Sequence, residues 1–219
     1  VLPLRRLILL CVLLGAFIVG WAAWRRNSPH RQSAESSVPT IVKQPAAFVT
    51  RTFDPAAPPS DMPPATPGEN AACDSEFQSS ANVGGESRQT DATHATLTVT
   101  QAKVTLQLNI TVWVPIGVTP HVIEHEEGHR QISEYYYQTA DNVAERIAAT
   151  YMGKQVEISG TDLSAESNKI LQQMATEITD QYNKELNPQP TQLLYDTITD
   201  HSRNEVVVKD AVSAAIKNI

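Results

Sequence analysis

His125 and His129 stand four residues apart inside an unbroken helical apolar period, and this placement constrains the chain more than any other feature. Val122, His125, His129, Ile132, Tyr136, Ala140, Val143, Ile147 and Tyr151 recur at spacings of three and four. That period predicts one long helix after Pro115 and Pro120, stopped near Gly153. Both imidazoles then share its inward face, one turn apart. Buried beside the Glu126 carboxylate, two neutral imidazoles without partners would cost on the order of a few kcal/mol, which a bound cation offsets. The order His125-Glu126-Glu127-Gly128-His129 supplies two corners of a tetrahedral Zn²⁺ site and leaves Glu126 to accept a proton from an attacking water. The bland alternative is a pair of core histidines bonded to backbone or carboxylate. Gly128 costs about 1 kcal/mol of helix propensity against alanine, and a close approach of substrate or of a neighbouring strand would explain it.

A catalytic zinc needs a third protein ligand and an open position. The extension that would supply it within the same helix is absent, because Tyr135 stands where a third His would be and Ile132 where a glycine would be. The candidates are therefore His201, a helix-face glutamate such as Glu166 or Glu177, and Asp162. His201 ranks first as the histidine downstream of the motif, flanked by Asp196 and Asp200, which are placed to orient a ligating ring. Read without a metal, His201 is a solvated loop residue, Glu166 and Glu177 are helix-surface charges, and Asp162 is a helix cap. His121, one turn before His125, and the run Tyr135-Tyr136-Tyr137 are secondary candidates for stabilising an oxyanion, set against capping and core roles.

The rest of the chain is segmented. Arg5-Arg6 precede an almost purely apolar run over residues 7–24, closed by Arg25-Arg26, which predicts an uncleaved signal anchor within residues 1–26. With the N-terminus inside, the remainder is expected in the periplasm or another extracytoplasmic space of a bacterial inner-membrane protein; secretion after cleavage is the alternative. Residues 27–91 hold nine of the fourteen prolines and few large apolar side chains, and are expected to be a disordered tether. From residue 92 the runs 93–100 and 104–112 alternate polar and apolar residues, predicting an antiparallel strand pair turning at Gln101-Ala102-Lys103. A second helix is expected over about 164–186, ended by Pro188, and a third over about 204–217. A net charge of −7 without a basic stripe in the C-terminal two thirds argues against a nucleic-acid partner. Cys11 and Cys73 are too few and too separated for a disulfide framework, so any metal site uses His and carboxylates, and Cys73 reads as an unpaired loop thiol.

Two blocks, Glu124-His125-Glu126-Glu127-Gly128-His129-Arg130 and Tyr195-Asp196-Thr197-Ile198-Thr199-Asp200-His201, together resemble a bacterial domain family of uncharacterised function described as predicted secreted zinc-dependent proteases. Ser202 stands where that family's pattern has a glycine. The resemblance implies a domain from about residue 92, zinc ligands His125, His129 and His201, and Glu126 as general base. The expectation is thus an α+β, zincin-like domain over 92–219: a small antiparallel sheet, then a long active-site helix and a second helix. Its expected activity is zinc metallopeptidase hydrolysis of a peptide or protein substrate, with the membrane engaged through the N-terminal helix. The competing expectation is a membrane-tethered envelope binding module whose zinc site is structural or decayed.

Overall fold

The computed structural model describes residues 38–64 and 71–218. The expected signal anchor lies outside these residues; among those described, no helix is long and apolar enough to cross a membrane. Strands β1 (Thr40–Lys43), β2 (Ala47–Phe53), β3 (Ala72–Gln89) and β4 (His94–Pro115) come first, followed by helices α1 (Pro120–Gln138) and α2 (Ala140–Ala149). Strand β5 (Gln155–Ser159) and helices α3 (Leu163–Glu185), α4 (Gln189–Thr199) and α5 (Val208–Lys217) complete the chain. The expected α+β class holds.

The sheet is built around β4. Along one edge β3 pairs with it antiparallel over its whole length. Along the other edge three short strands lie end to end: β5 antiparallel at His94–Thr98, then β1 and β2 parallel at Lys103–Leu106 and Asn109–Pro115. The sheet is therefore mixed, which corrects the expected antiparallel one. The strand pair expected at Gln101-Ala102-Lys103 is a single strand. Its buried positions run Ala95, Leu97, Val99 and then Ala102, Val104, Leu106, Leu108, Ile110, so the inward phase slips by one residue. The slip is a β-bulge: Gly84 opposes Gln101 and Gly85 opposes Val99, leaving Thr100 as the extra residue. A side chain at Gly85 would put its Cβ 2.6 Å from the Thr98 carbonyl oxygen, so only glycine fits there.

Residues 40–43, 47–53 and 72–89, expected as tether, are strands of this sheet. The compositional argument fails because an edge strand can be held by main-chain pairing to a buried neighbour. β2 buries Phe53 but exposes Ala47, Phe48, Val49, Thr50, Arg51 and Thr52, and each of its residues still has a register partner in β4. The described residues 38–64 and 71–218 accordingly fall within one compact unit, which takes in strands before residue 92.

One sheet face carries the core. Val104, Leu106, Leu108, Ile110 and Val112 pack against Ala144, Ile147 and Ala148 of α2 and Met174, Ile178 and Tyr182 of α3. The single long helix expected to run to Tyr151 is broken at Thr139 (φ −102°, ψ 6°). Lys43 of β1 holds the break: its Nζ donates to the Gln138 carbonyl at 2.7 Å and to Asp141 Oδ1, in the first turn of α2, at 2.8 Å. A cation at the C-terminus of α1 also complements the helix dipole. A second, smaller core lies where Ile132 of α1 meets Tyr195 of α4 and Ala211, Val212 and Ala215 of α5. Helix α4 occupies the stretch between the two helices expected over 164–186 and 204–217, where no element was expected. Pro188 caps it and Pro190 sits in its first turn, where the missing N–H has no intrahelical partner to lose.

Candidate metal centre

The motif histidines face the second core. His125 is 2% exposed and Glu126 3%, so the buried arc of α1 runs from His125 through Gly128 to Ile132 and Ser133. Opposite it stands α4, whose Asp196 carboxylate reaches back between the rings. His129 Nε2 lies 2.8 Å and His125 Nε2 3.4 Å from Asp196 Oδ1, and the two nitrogens are 3.1 Å apart. These three atoms form the one group of potential metal ligands found among the described residues. Donors at 2.0–2.1 Å from a tetrahedral zinc stand about 3.3 Å from one another, close to this triangle.

The chemistry of the three atoms fits a cation at their centre. The two ring nitrogens, 3.1 Å apart, share a hydrogen bond when one of them carries a proton, and with both unprotonated their lone pairs converge on a point where a cation satisfies both. Asp196 Oδ1 is buried and has no aligned hydrogen-bond donor although both nitrogens approach it. Burial pushes the Asp196 carboxyl upward, but the two adjacent imidazoles outweigh it and hold the group well below the usual carboxylate range. Burial likewise works against charge on His129. Its contacts with Asp196, with smaller contributions from Glu126 and Gln192, prevail and raise its pKa above the ordinary histidine value.

His201, expected as third ligand, is not in the converging group; Asp196 stands there instead. Helix α4 ends at Asp200, and Asp200, His201 and Ser202 follow one another in the left-handed region (φ 45°, 53° and 63°). The His201 N–H donates to the Asp196 carbonyl at 3.1 Å, closing the helix end one turn past Asp196. The other candidates take structural roles. Asp162 caps α3, accepting from the Ala165 N–H at 3.0 Å, and Glu177 accepts from Tyr151. Neither Glu166 nor Glu177 joins the group. His121 Nε2 meets the Asn204 carbonyl at 2.9 Å, tying the start of α1 to the segment before α5. Tyr136 bonds Thr191, Tyr137 donates to the carbonyls of Gln44 and Leu106, and Tyr135 is exposed. Glu127 pairs with Arg130, leaving Glu126 as the motif carboxylate at the cleft.

Gly128 is explained by Tyr195 rather than by substrate or strand. The fully buried ring stacks on His125 with centroids 5.0 Å apart, meets His129 edge-on at 4.9 Å, and donates its hydroxyl to the His125 carbonyl at 3.1 Å. A Cβ on Gly128 would fall 2.1 Å from that hydroxyl and 2.4 Å from Cζ. Alanine at 128 gains about 1 kcal/mol of helix propensity, but overpacking a buried ring costs about 1 to 3 kcal/mol or more. Gly128→Ala is therefore expected to lower stability in denaturant melts, and Tyr195→Leu in the same chain to recover part of the loss as a positive coupling in the double-mutant cycle. Additive effects would remove the interlock.

A cleft of about 290 Å³ opens onto the group, lined by Glu126, His129, Gln192 and Asp196 on the helix side and by Cys73, Asp74 and Ser75 of β3 on the other. Cys73 is a strand residue rather than a loop thiol, and burial pushes its pKa up to about 12, so it remains a protonated thiol at neutral pH. Comparison of the chain with family models, with curated proteins and with solved structures gave no match.

Proposed function

We propose that this chain is a zinc-dependent hydrolase acting on peptide bonds, with His125, His129 and Asp196 as ligands and Glu126 as general base. The observation that carries the reading is the convergence of two Nε2 atoms and one carboxylate oxygen on a common centre, at the edge of a cleft that Glu126 also lines. Two histidines and a carboxylate leave a tetrahedral zinc one open position, the pattern of catalytic rather than closed structural sites. Bound there, zinc would supply Lewis-acid polarisation of a carbonyl and lower the pKa of a water. Glu126, buried at the edge of the cleft, takes the proton of the attacking water and delivers it to the departing amine. Asp196 offsets charge at the centre, while the Tyr195 ring keeps water away from the imidazole faces. The zincin-like assignment and the N-terminal anchor with an extracytoplasmic domain belong to the same reading, supported by the motif on α1 and by the apolar run over residues 7–24.

The test is metal dependence. The full chain is expected to retain about one zinc per molecule, to hydrolyse an unstructured protein such as casein, to lose that activity on chelation and to regain it with zinc. A chain that binds zinc tightly yet hydrolyses no peptide in any metal form would transfer the reading to a binding module with a structural zinc.

A further inference from the structure

The amide of Gln192, one turn before Asp196 on α4, touches His129 twice. Its Oε1 lies 2.6 Å from His129 Nδ1, and its Nε2 donates to the His129 carbonyl at 3.1 Å and to Ser133 Oγ at 3.0 Å. A backbone carbonyl only accepts, so it fixes which end of the amide is nitrogen. A flipped amide would set two oxygens against each other at that carbonyl. With Nε2 so placed, Oε1 must face Nδ1, and an amide oxygen accepts but never donates. The competing acceptor, Asp196 Oδ1, lies 2.8 Å from Nε2 but accepts no aligned hydrogen bond, whereas Gln192 Oε1 is aligned on Nδ1; His129 is then protonated at Nδ1, and when the ring is neutral its Nε2 carries the lone pair.

The amide is itself held. Ser133 is fully buried and passes its proton to Ser75 Oγ at 2.8 Å, on the cleft wall formed by β3. The polar chain His129, Gln192, Ser133, Ser75 therefore ties α4, α1 and β3 together around one imidazole. His125 has no such partner, since its Nδ1 is buried without a hydrogen bond from the protein. The selection of a ring nitrogen is built at His129 alone of the two.

We propose that Gln192 is a positioning residue: it locks neutral His129 in the Nδ1–H tautomer and so presents the Nε2 lone pair to the metal centre. This rests on the proposed zinc site for its purpose, but the tautomer can be read without metal. The experiment compares full-length wild type, Gln192→Leu and Gln192→Glu, each metal-free, by long-range ¹H–¹⁵N correlation of the His129 ring at a pH where it is neutral, and then by competitive titration with Zn²⁺. Wild type is expected in the Nδ1–H form. Gln192→Leu removes the acceptor, so the ring shifts toward Nε2–H and zinc affinity falls about 10- to 100-fold. Gln192→Glu keeps an acceptor at Nδ1 while losing the amide donors, so it retains the wild-type tautomer and most of the zinc affinity. An unchanged tautomer or unchanged zinc affinity in Gln192→Leu overturns the proposal, as does a Glu variant that behaves like the Leu variant, which would assign the effect to the lost donor bonds. If wild type takes up no zinc while its tautomer still follows residue 192, the zinc reading fails and the lock stands.

Discussion

Asp196→Ala is expected to weaken zinc binding by more than about 100-fold, while His201→Ala leaves it within a few-fold of wild type. The first figure follows because loss of an outer-shell partner alone costs about 10- to 100-fold, and Asp196 Oδ1 is itself one of the three converging atoms. The two substitutions separate the proposed ligand set, with Asp196, from the one that the sequence motif implies, with His201. Zinc titration of each full-length variant decides between them, and a His201→Ala chain that loses zinc while Asp196→Ala keeps it would restore the earlier assignment. The pair formed by Asp196 and His129 also sets a pH dependence. The depressed Asp196 carboxyl stabilises the metal-free chain above the ordinary aspartate range, and that contribution is lost as pH falls through its folded pKa. The raised His129 stabilises the chain below the ordinary histidine value, and that contribution is lost as pH rises through its folded pKa. The metal-free chain is therefore favoured by this pair at mildly acidic pH. Zinc requires neutral His129, so its affinity climbs as pH rises through the same transition.

The sequence made the helix side of the centre legible and concealed the partner side, for identifiable reasons. His125, Glu126 and His129 are recognisable because a four-residue spacing on a helix is local geometry, and local geometry survives without knowledge of the fold. Asp196 is visible as a residue, but its place close to His201 in the sequence suggests the role of orienting that ring. The choice turns on whether residues 189–199 are a loop or a helix. Two prolines at the start argue for a loop only if their position is ignored; in the first turn of a helix they cost nothing. As a helix, the segment turns Gln192, Tyr195 and Asp196 onto one face, and that face is the one packed on α1. Gly128 carried the signal that could have found this, since a glycine beside two inward histidines marks where another element comes close.

The sheet is concealed in the sequence for a different reason. Alternation predicts a strand but not its neighbours, and a one-residue phase slip looks the same in sequence whether it marks a turn or a bulge. The region 101–103 lacks the Gly, Asn or Pro that a tight turn favours, which is the argument for a single strand. The edge strands before it are held by β4 rather than by their own apolar side chains, so composition alone assigned them to the tether. That assignment mattered for the site as well as for the fold: Cys73, Asp74 and Ser75, which wall the cleft, lie in the segment set aside as linker.

Glu126→Gln is the substitution expected to separate holding a metal from using it. The amide has nearly the shape of the carboxylate, so the buried arc of α1 should pack unchanged, and the three ligand atoms belong to other residues. Zinc content and affinity are expected to stay near wild type. An amide cannot take up the proton of an attacking water at neutral pH, so peptide hydrolysis is expected to fall by about 10²- to 10⁴-fold, the range that a positioned general base supplies. The loss should appear in kcat with KM little changed, because Glu126 acts in the transition state rather than in uniform binding of substrate. Glu127→Gln, one residue away and paired with Arg130 on the outer side of the helix, is the control and is expected to leave kcat unchanged. Parallel zinc titrations and steady-state assays of the three chains make the comparison. Equal activity in wild type and Glu126→Gln would remove Glu126 from the chemistry even if the metal centre stands, because a residue at the cleft that moves no proton is only part of its wall.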